Sequence, residues 1–151
     1  MKKKLLYMGI ALVSTAALSS DEIFNVTVKL LAPIAIIEDS PLVFPNTQSG
    51  SASNVVVGTG DAGAASFHAT GSPSVAFTKS VVESSIVMEL SGGSSGDATK
   101  EIVVDTFVLA GPSAFDGSGA ASGLKVGGTA RILDNDVAGD YSGTATFRMI
   151  Y

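Results

Sequence analysis

The sequence predicts an all-β sandwich of short strands, on three observations. Apolar and polar residues alternate in one segment after another, the period of a strand with a single buried face. Clusters of Gly, Ser, Asn, Asp and Pro interrupt these segments about every 8–12 residues, the spacing of sandwich turns. Beyond an N-terminal apolar run, no stretch keeps a helical period. The chain of 151 residues carries 17 Gly and neither Trp nor Cys.

Residues 1–19 open with Lys2, Lys3 and Lys4, continue through an apolar run and end in small residues, with Ala17 and Ser19 preceding Ser20. This layout predicts a secretory signal peptide, since the run is too short and too rich in small residues for a convincing membrane anchor. Residues 20–31 follow as an N-terminal strand. Phe24, Val26, Val28 and Leu30 point one way, and Asn25, Thr27 and Lys29 the other. Pro33 cannot donate to a ladder and interrupts pairing just beyond.

Residues 32–151 then read as one domain. Residues 34–37 are a short apolar run, 38–41 a turn, 42–44 a short strand, and 46–54 polar and flexible. Strands are expected at 55–57, 66–70, 75–78, 86–90 and 102–109. The Gly- and Ser-rich stretches 91–99 and 110–123 read as hairpin loops rather than domain linkers. Residues 124–133 form a strand whose Gly127-Gly128 pair marks a bulge or sharp coil. A polar turn at 134–140 leads into a final strand, 141–151, in which Ala145, Phe147, Met149 and Tyr151 alternate with Thr144, Thr146 and Arg148.

Charge and composition exclude several functions. The whole chain has 9 Lys and Arg against 14 Asp and Glu, a net charge of −5. Without the three lysines of residues 1–19, six basic residues face the same 14 acidic ones, or −8. Such a chain repels phosphate backbones and anionic lipid, so neither nucleic acid nor a charged membrane surface is an expected partner. The lack of cysteine removes thiol catalysis and thiolate metal sites, and it leaves a secreted chain to be held by packing or by another chain.

No catalytic, cofactor or metal site emerges. His68, the one histidine, has no second ligand or nucleophile nearby in sequence and reads as a strand residue. Asp134-Asn135-Asp136 faintly suggests a calcium loop, but Ala138 and Ala145 stand where the loop formula needs an oxygen ligand and a Glu. Glu83, Glu89, Glu101 and Asp105 form no acid pair for glycoside hydrolysis. Gly127-Gly128 lacks the Lys and the helix of a phosphate loop. No small-molecule substrate is evident, and the expectation is a protein that is not an enzyme. The terminal Tyr151 resembles the end of an outer-membrane barrel, yet barrel strands run about 9–11 residues and several segments here are much shorter.

The segments Asn25-Val26-Thr27-Val28, Ala32-Pro33, Leu42-Val43-Phe44, Leu124-Lys125-Val126-Gly127-Gly128-Thr129 and Ala138-Gly139-Asp140-Tyr141-Ser142-Gly143-Thr144 resemble a family of small secreted Gram-negative domains of unassigned function, over nearly the whole mature chain. The two ends also resemble the major subunits of alpha-class chaperone–usher fimbriae, the pilins, which likewise lack a disulfide. This resemblance implies an immunoglobulin-like sandwich missing one edge strand. Residues 20–31 would be the donor strand, with Phe24, Val26, Val28 and Leu30 as its knobs. Ala145, Phe147, Met149 and Tyr151 would flank the acceptor groove, and Gly139, Tyr141 and Gly143 would shape the turn before it. A periplasmic chaperone and an outer-membrane usher would be partners, with other copies in a head-to-tail filament at the cell surface serving adhesion or biofilm formation. The residues alone leave a second reading open: a self-complete secreted module that keeps its first strand, because alternation does not distinguish pairing within the chain from pairing across chains.

Overall fold

The computed structural model describes residues 22–93 and 96–151. The signal-peptide reading of residues 1–19, and the first two residues of the N-terminal strand, lie outside them. Among the described residues no helix is long and apolar enough to cross a membrane.

The described residues fold into nine strands and one short 3₁₀ turn, Ala98–Lys100. The strands are β1 (Ala35–Ser40), β2 (Ser53–Val57), β3 (Ala65–Thr70), β4 (Thr78–Val81), β5 (Ser85–Leu90), β6 (Glu101–Ala110), β7 (Ala120–Ile132), β8 (Tyr141–Ser142) and β9 (Phe147–Ile150). Seven form one antiparallel sheet in the order β1-β3-β7-β6-β5-β8, with β2 also paired to β7. The other two, β4 and β9, form a separate antiparallel pair. The architecture is all-β and sandwich-like.

β7, at 13 residues, is the longest strand. One edge carries β6; the other carries β3 along Ala120–Val126 and then β2 along Gly128–Ile132. Gly127 lies at that hand-over, where an added Cβ would stand 2.2 Å from the Val57 carbonyl oxygen. The glycine pair therefore admits a close backbone approach. It does not make the expected bulge: that lies on β6 between Asp105 and Val108, where Thr106 has φ 51° and Phe107 turns onto the core.

The core has two parts. In the first, Phe77, Phe147 and Met149 from the β4–β9 side pack with Phe67, Ala69, Phe115, Ala121 and Leu124. Phe67 and Phe147 stack at 4.6 Å, and Phe77 and Phe115 meet tilted at 4.8 Å. In the second, Ile102, Val104 and Ala130 are covered by Phe44, Ile86, Met88, Phe107 and Tyr141. The two-stranded layer caps only the first.

Within the single chain, residues 22–31 pair with no strand. Other expectations change. The strand expected at 75–78 lies at Thr78–Val81, and β7 begins at Ala120, inside the loop expected at 110–123. Residues 38–40 are not a turn but the end of β1, where the ladder skips Asp39 between Glu38 and Ser40. Residues 42–44 join no ladder; Val43 N donates to the Gly63 carbonyl at 2.8 Å, and Phe44 is held by its packing. The last strand is divided: β8 pairs with β5 and β9 with β4. Gly143 sits at the crossing, where a Cβ would come within 2.8 Å of the Val87 carbonyl oxygen.

Leu124 is fully buried, with 0% of its surface exposed. Truncating it to Ala removes apolar contacts and leaves a cavity, so Leu124→Ala is expected to lower the unfolding free energy by about 2–5 kcal/mol in a urea titration.

Candidate functional site

β9 has β4 on one side and, among the described residues, no strand on the other. At the start of β9 lies an apolar groove of about 220 Å³, to which β9 contributes Phe147 and β4 its partner Val81. Ala145 and Phe147 form one bank, Glu38, Pro41, Leu42 and Phe44 the other, and Phe67, Val104, Phe107 and Val126 the floor. The floor joins both core clusters, so the groove is the seam between them. A wider space of about 620 Å³ continues past Leu42, Phe44 and Met88, between residues 42–49 and 136–141.

The residues expected to flank an acceptor groove are not equivalent. Met149 is buried in the first core cluster, Phe147 is half-buried and borders the groove, and Ala145 borders it from the exposed approach to β9. Tyr151 stands at the far end, with its ring against Phe115 at 6.1 Å. Its hydroxyl donates to the Ala32 carbonyl at 2.6 Å and accepts from Ser72 N at 2.8 Å.

The four knobs of the N-terminal segment lie in water. Phe24 is 79% exposed, Val26 81%, Val28 84% and Leu30 87%. An isolated exposed apolar residue is ordinary; here four stand at alternate positions of one unpaired segment.

The turn residues hold the approach to the groove. Tyr141 Oη donates to the Val137 carbonyl at 2.6 Å, tying the turn to the start of β8. Burial and the nearby Asp136 and Asp97 carboxylates raise the Tyr141 pKa above its ordinary 10.0, keeping the phenol protonated and donating. Gly139 packs against Leu90, and Gly143 forms the crossing.

Sequence reasoning missed three contributors. Glu83 accepts from Thr146 N and Thr146 Oγ1, both at 2.8 Å, and so anchors the chain just before β9. Ser72 donates its N–H to Tyr151 beyond the end of β9. Pro41 lies on the far bank. Only contacts between distant segments reveal them; no local pattern does.

The residues weighed for chemistry stay apart. His68 Nδ1 lies 2.6 Å from Asp39 Oδ1 on the exposed edge formed by β1 and β3. Asp136 Oδ2 accepts from Leu133 N at 2.8 Å, a turn bond. Among the described residues, no three His, Cys, Asp or Glu side chains converge to hold a metal ion.

The Thr146 backbone and side-chain bonds hold the Glu83 carboxyl below its ordinary 4.5. A depressed folded-state pKa contributes stability above the unfolded value, and this is lost as pH falls through the folded one. The stability difference between the native chain and Glu83→Ala should therefore be present at neutral pH. It should shrink below pH 4.5 and vanish in stronger acid, as read by thermal unfolding across pH.

A family model described as "Domain of unknown function (DUF4402)" matches residues 41–151. No curated protein and no solved structure matches the chain. The matched span takes in every strand from β2 to β9 and most of the sequence, so the chain belongs to the DUF4402 family.

Proposed function

We propose that this protein is the structural subunit of a surface fimbria, and that each copy lends residues 22–31 to the groove beside β9 of the next. The observation that carries the reading is the pairing of two unmet needs in one chain. Four alternating apolar side chains have no cover, and an apolar groove opens at the start of β9, a strand paired on one side among the described residues.

The chemistry of the two parts is complementary. A strand added to an exposed edge gains a ladder of main-chain hydrogen bonds, while alternate side chains enter the groove. Each large apolar side chain moved from water to a buried site contributes about 1.5–3 kcal/mol. The segment and the groove lie on one chain, so the contact between copies is heterologous. Such a contact does not close on itself and propagates as a filament.

The same need assigns the partners. Until a neighbour arrives, the open edge and the groove invite aggregation. A periplasmic chaperone would cover them, and an outer-membrane usher would exchange it for the next subunit, placing the fibre at the cell surface in adhesion or biofilm formation. The family match favours a second reading in one respect: it begins at residue 41, after the N-terminal segment and β1. In that reading the domain is a secreted surface module complete without polymerisation.

Changing Val26 and Val28 together to Asp discriminates the two. Both side chains are more than 80% exposed, so the thermal midpoint of the monomer should stay unchanged. Material sheared from cells expressing the native chain should run as a ladder that collapses only on boiling, and it should contain thin fibres by negative stain. The double variant should give neither. A native chain that runs as a single monomer band without fibres would establish the self-complete module.

A further inference from the structure

We propose that the root of the N-terminal segment is a positioning device that bars residues 22–31 from their own groove and reserves them for a second copy of the chain. This rests on the donor-strand reading above and concerns what prevents the same strand from closing its own domain.

The obstacle is a matter of direction. β9 runs toward Tyr151, which meets Ala32. β1 starts beside the same point, with Ala35 opposite Thr70, and leads on to Pro41 and Leu42 on the far bank of the groove. The root of the segment therefore sits at the Tyr151 end of β9 and the Ala35 end of β1, whereas the groove is lined at their opposite ends, by Phe147 and Glu38. To lie in its own groove, the segment would have to reverse direction between Leu31 and Ala35. That reversal is a tight hairpin centred on Ala32 and Pro33.

Neither residue suits such a turn. Two-residue hairpin loops need a positive φ at one or both central positions, which favours Gly and Asn. Pro33 is locked near −65°, and Ala32, preceding a proline, is confined to the extended region.

A set of hydrogen bonds then fixes this geometry. Ala32 N donates to Ser72 Oγ at 2.6 Å, and the Ala32 carbonyl accepts from Tyr151 Oη at 2.6 Å. Ser72 N closes the triangle by donating to Tyr151 Oη at 2.8 Å. Both backbone groups of Ala32 are thus occupied, the N–H by the buried Ser72 and the carbonyl by Tyr151. Gly71 keeps this corner open for the tyrosine: an added Cβ would stand 2.7 Å from the Tyr151 hydroxyl oxygen. A strand arriving from another copy meets none of these constraints.

Two full-length variants test the device. Ala32→Asn with Pro33→Gly installs the turn pair that the hairpin needs, and Tyr151→Phe removes the clamp's hydroxyl while keeping its ring. Hydrogen exchange is followed at residues 22–31 of purified monomer, with the thermal midpoint and the boiling-sensitive ladder. In the native monomer these amides should exchange freely. In the Asn-Gly variant they should become protected, the midpoint should rise and the ladder should be lost. Tyr151→Phe should move the exchange the same way by a smaller amount, and it decides the matter if the Asn-Gly variant does not fold. Residues 22–31 as unprotected as in the native chain, with an undiminished ladder, would overturn the proposal. A synthetic peptide of residues 22–31, added to native monomer, separates the two levels. If the peptide binds but the variants' own segments stay unprotected, the root has no gating role and the donor-strand reading stands. If the peptide does not bind and the native chain forms no ladder, the donor-strand reading falls and takes this inference with it.

Discussion

A sheet that buries one face needs a second layer about as wide as itself. Here β7 pairs with β6, β3 and β2 and so builds a broad curled layer, whereas among the described residues the facing layer holds only β4 and β9. Leu124, Phe77, Phe115 and Met149 close the half where the two layers overlap. Over Val104 and Ile102 the cover comes instead from Phe44, on a segment outside any ladder, and from Tyr141. The groove at the seam is the geometric remainder of that mismatch. Its position follows from where the narrow layer stops.

The lack of cysteine sharpens the point. A domain of this size with a narrow second layer has no covalent staple to offset the shortfall. In the proposed fibre, the apolar area missing from its core would come from the exposed side chains of a neighbour's N-terminal segment. On this reading, individual stability and assembly are one quantity, because a ligand that binds the folded form raises its stability by mass action.

Much of the strand inventory was legible. Alternation and turn chemistry located β2, β3, β5, β6 and β7 to within a few residues, since these strands bury one face and their side chains say so. The failures share a physical cause. Residues 38–40 carry two acids and a serine, which read locally as a turn, but pairing with β3 extends them around Asp39. Thr106 takes a positive φ that nothing about threonine announces. The terminal segment alternates throughout, yet its two ends serve different sheets because Gly143 lets the chain cross under Val87. As for the site, the knobs at Phe24, Val26, Val28 and Leu30 could be named from sequence, but their exposure could not. Nor could the triangle of Ala32, Ser72 and Tyr151, whose members lie 40 to 119 residues apart.

Those long separations also govern the order of events during folding. β2 pairs Ser53 with Ile132, and β4 pairs Thr78 with Ile150. Each ladder must close a long loop before its contacts return any free energy, and such topologies belong to the slow end of the folding range. β9 is separated from β4 by β5, β6, β7 and β8, so the hydrophobic floor beneath the pair stays uncovered until β9 has been made. Time is then the resource in shortest supply. In the proposed assembly, a protein that clasped the half-built seam would act first as a kinetic guard, shortening the interval in which unpaired edges can find one another.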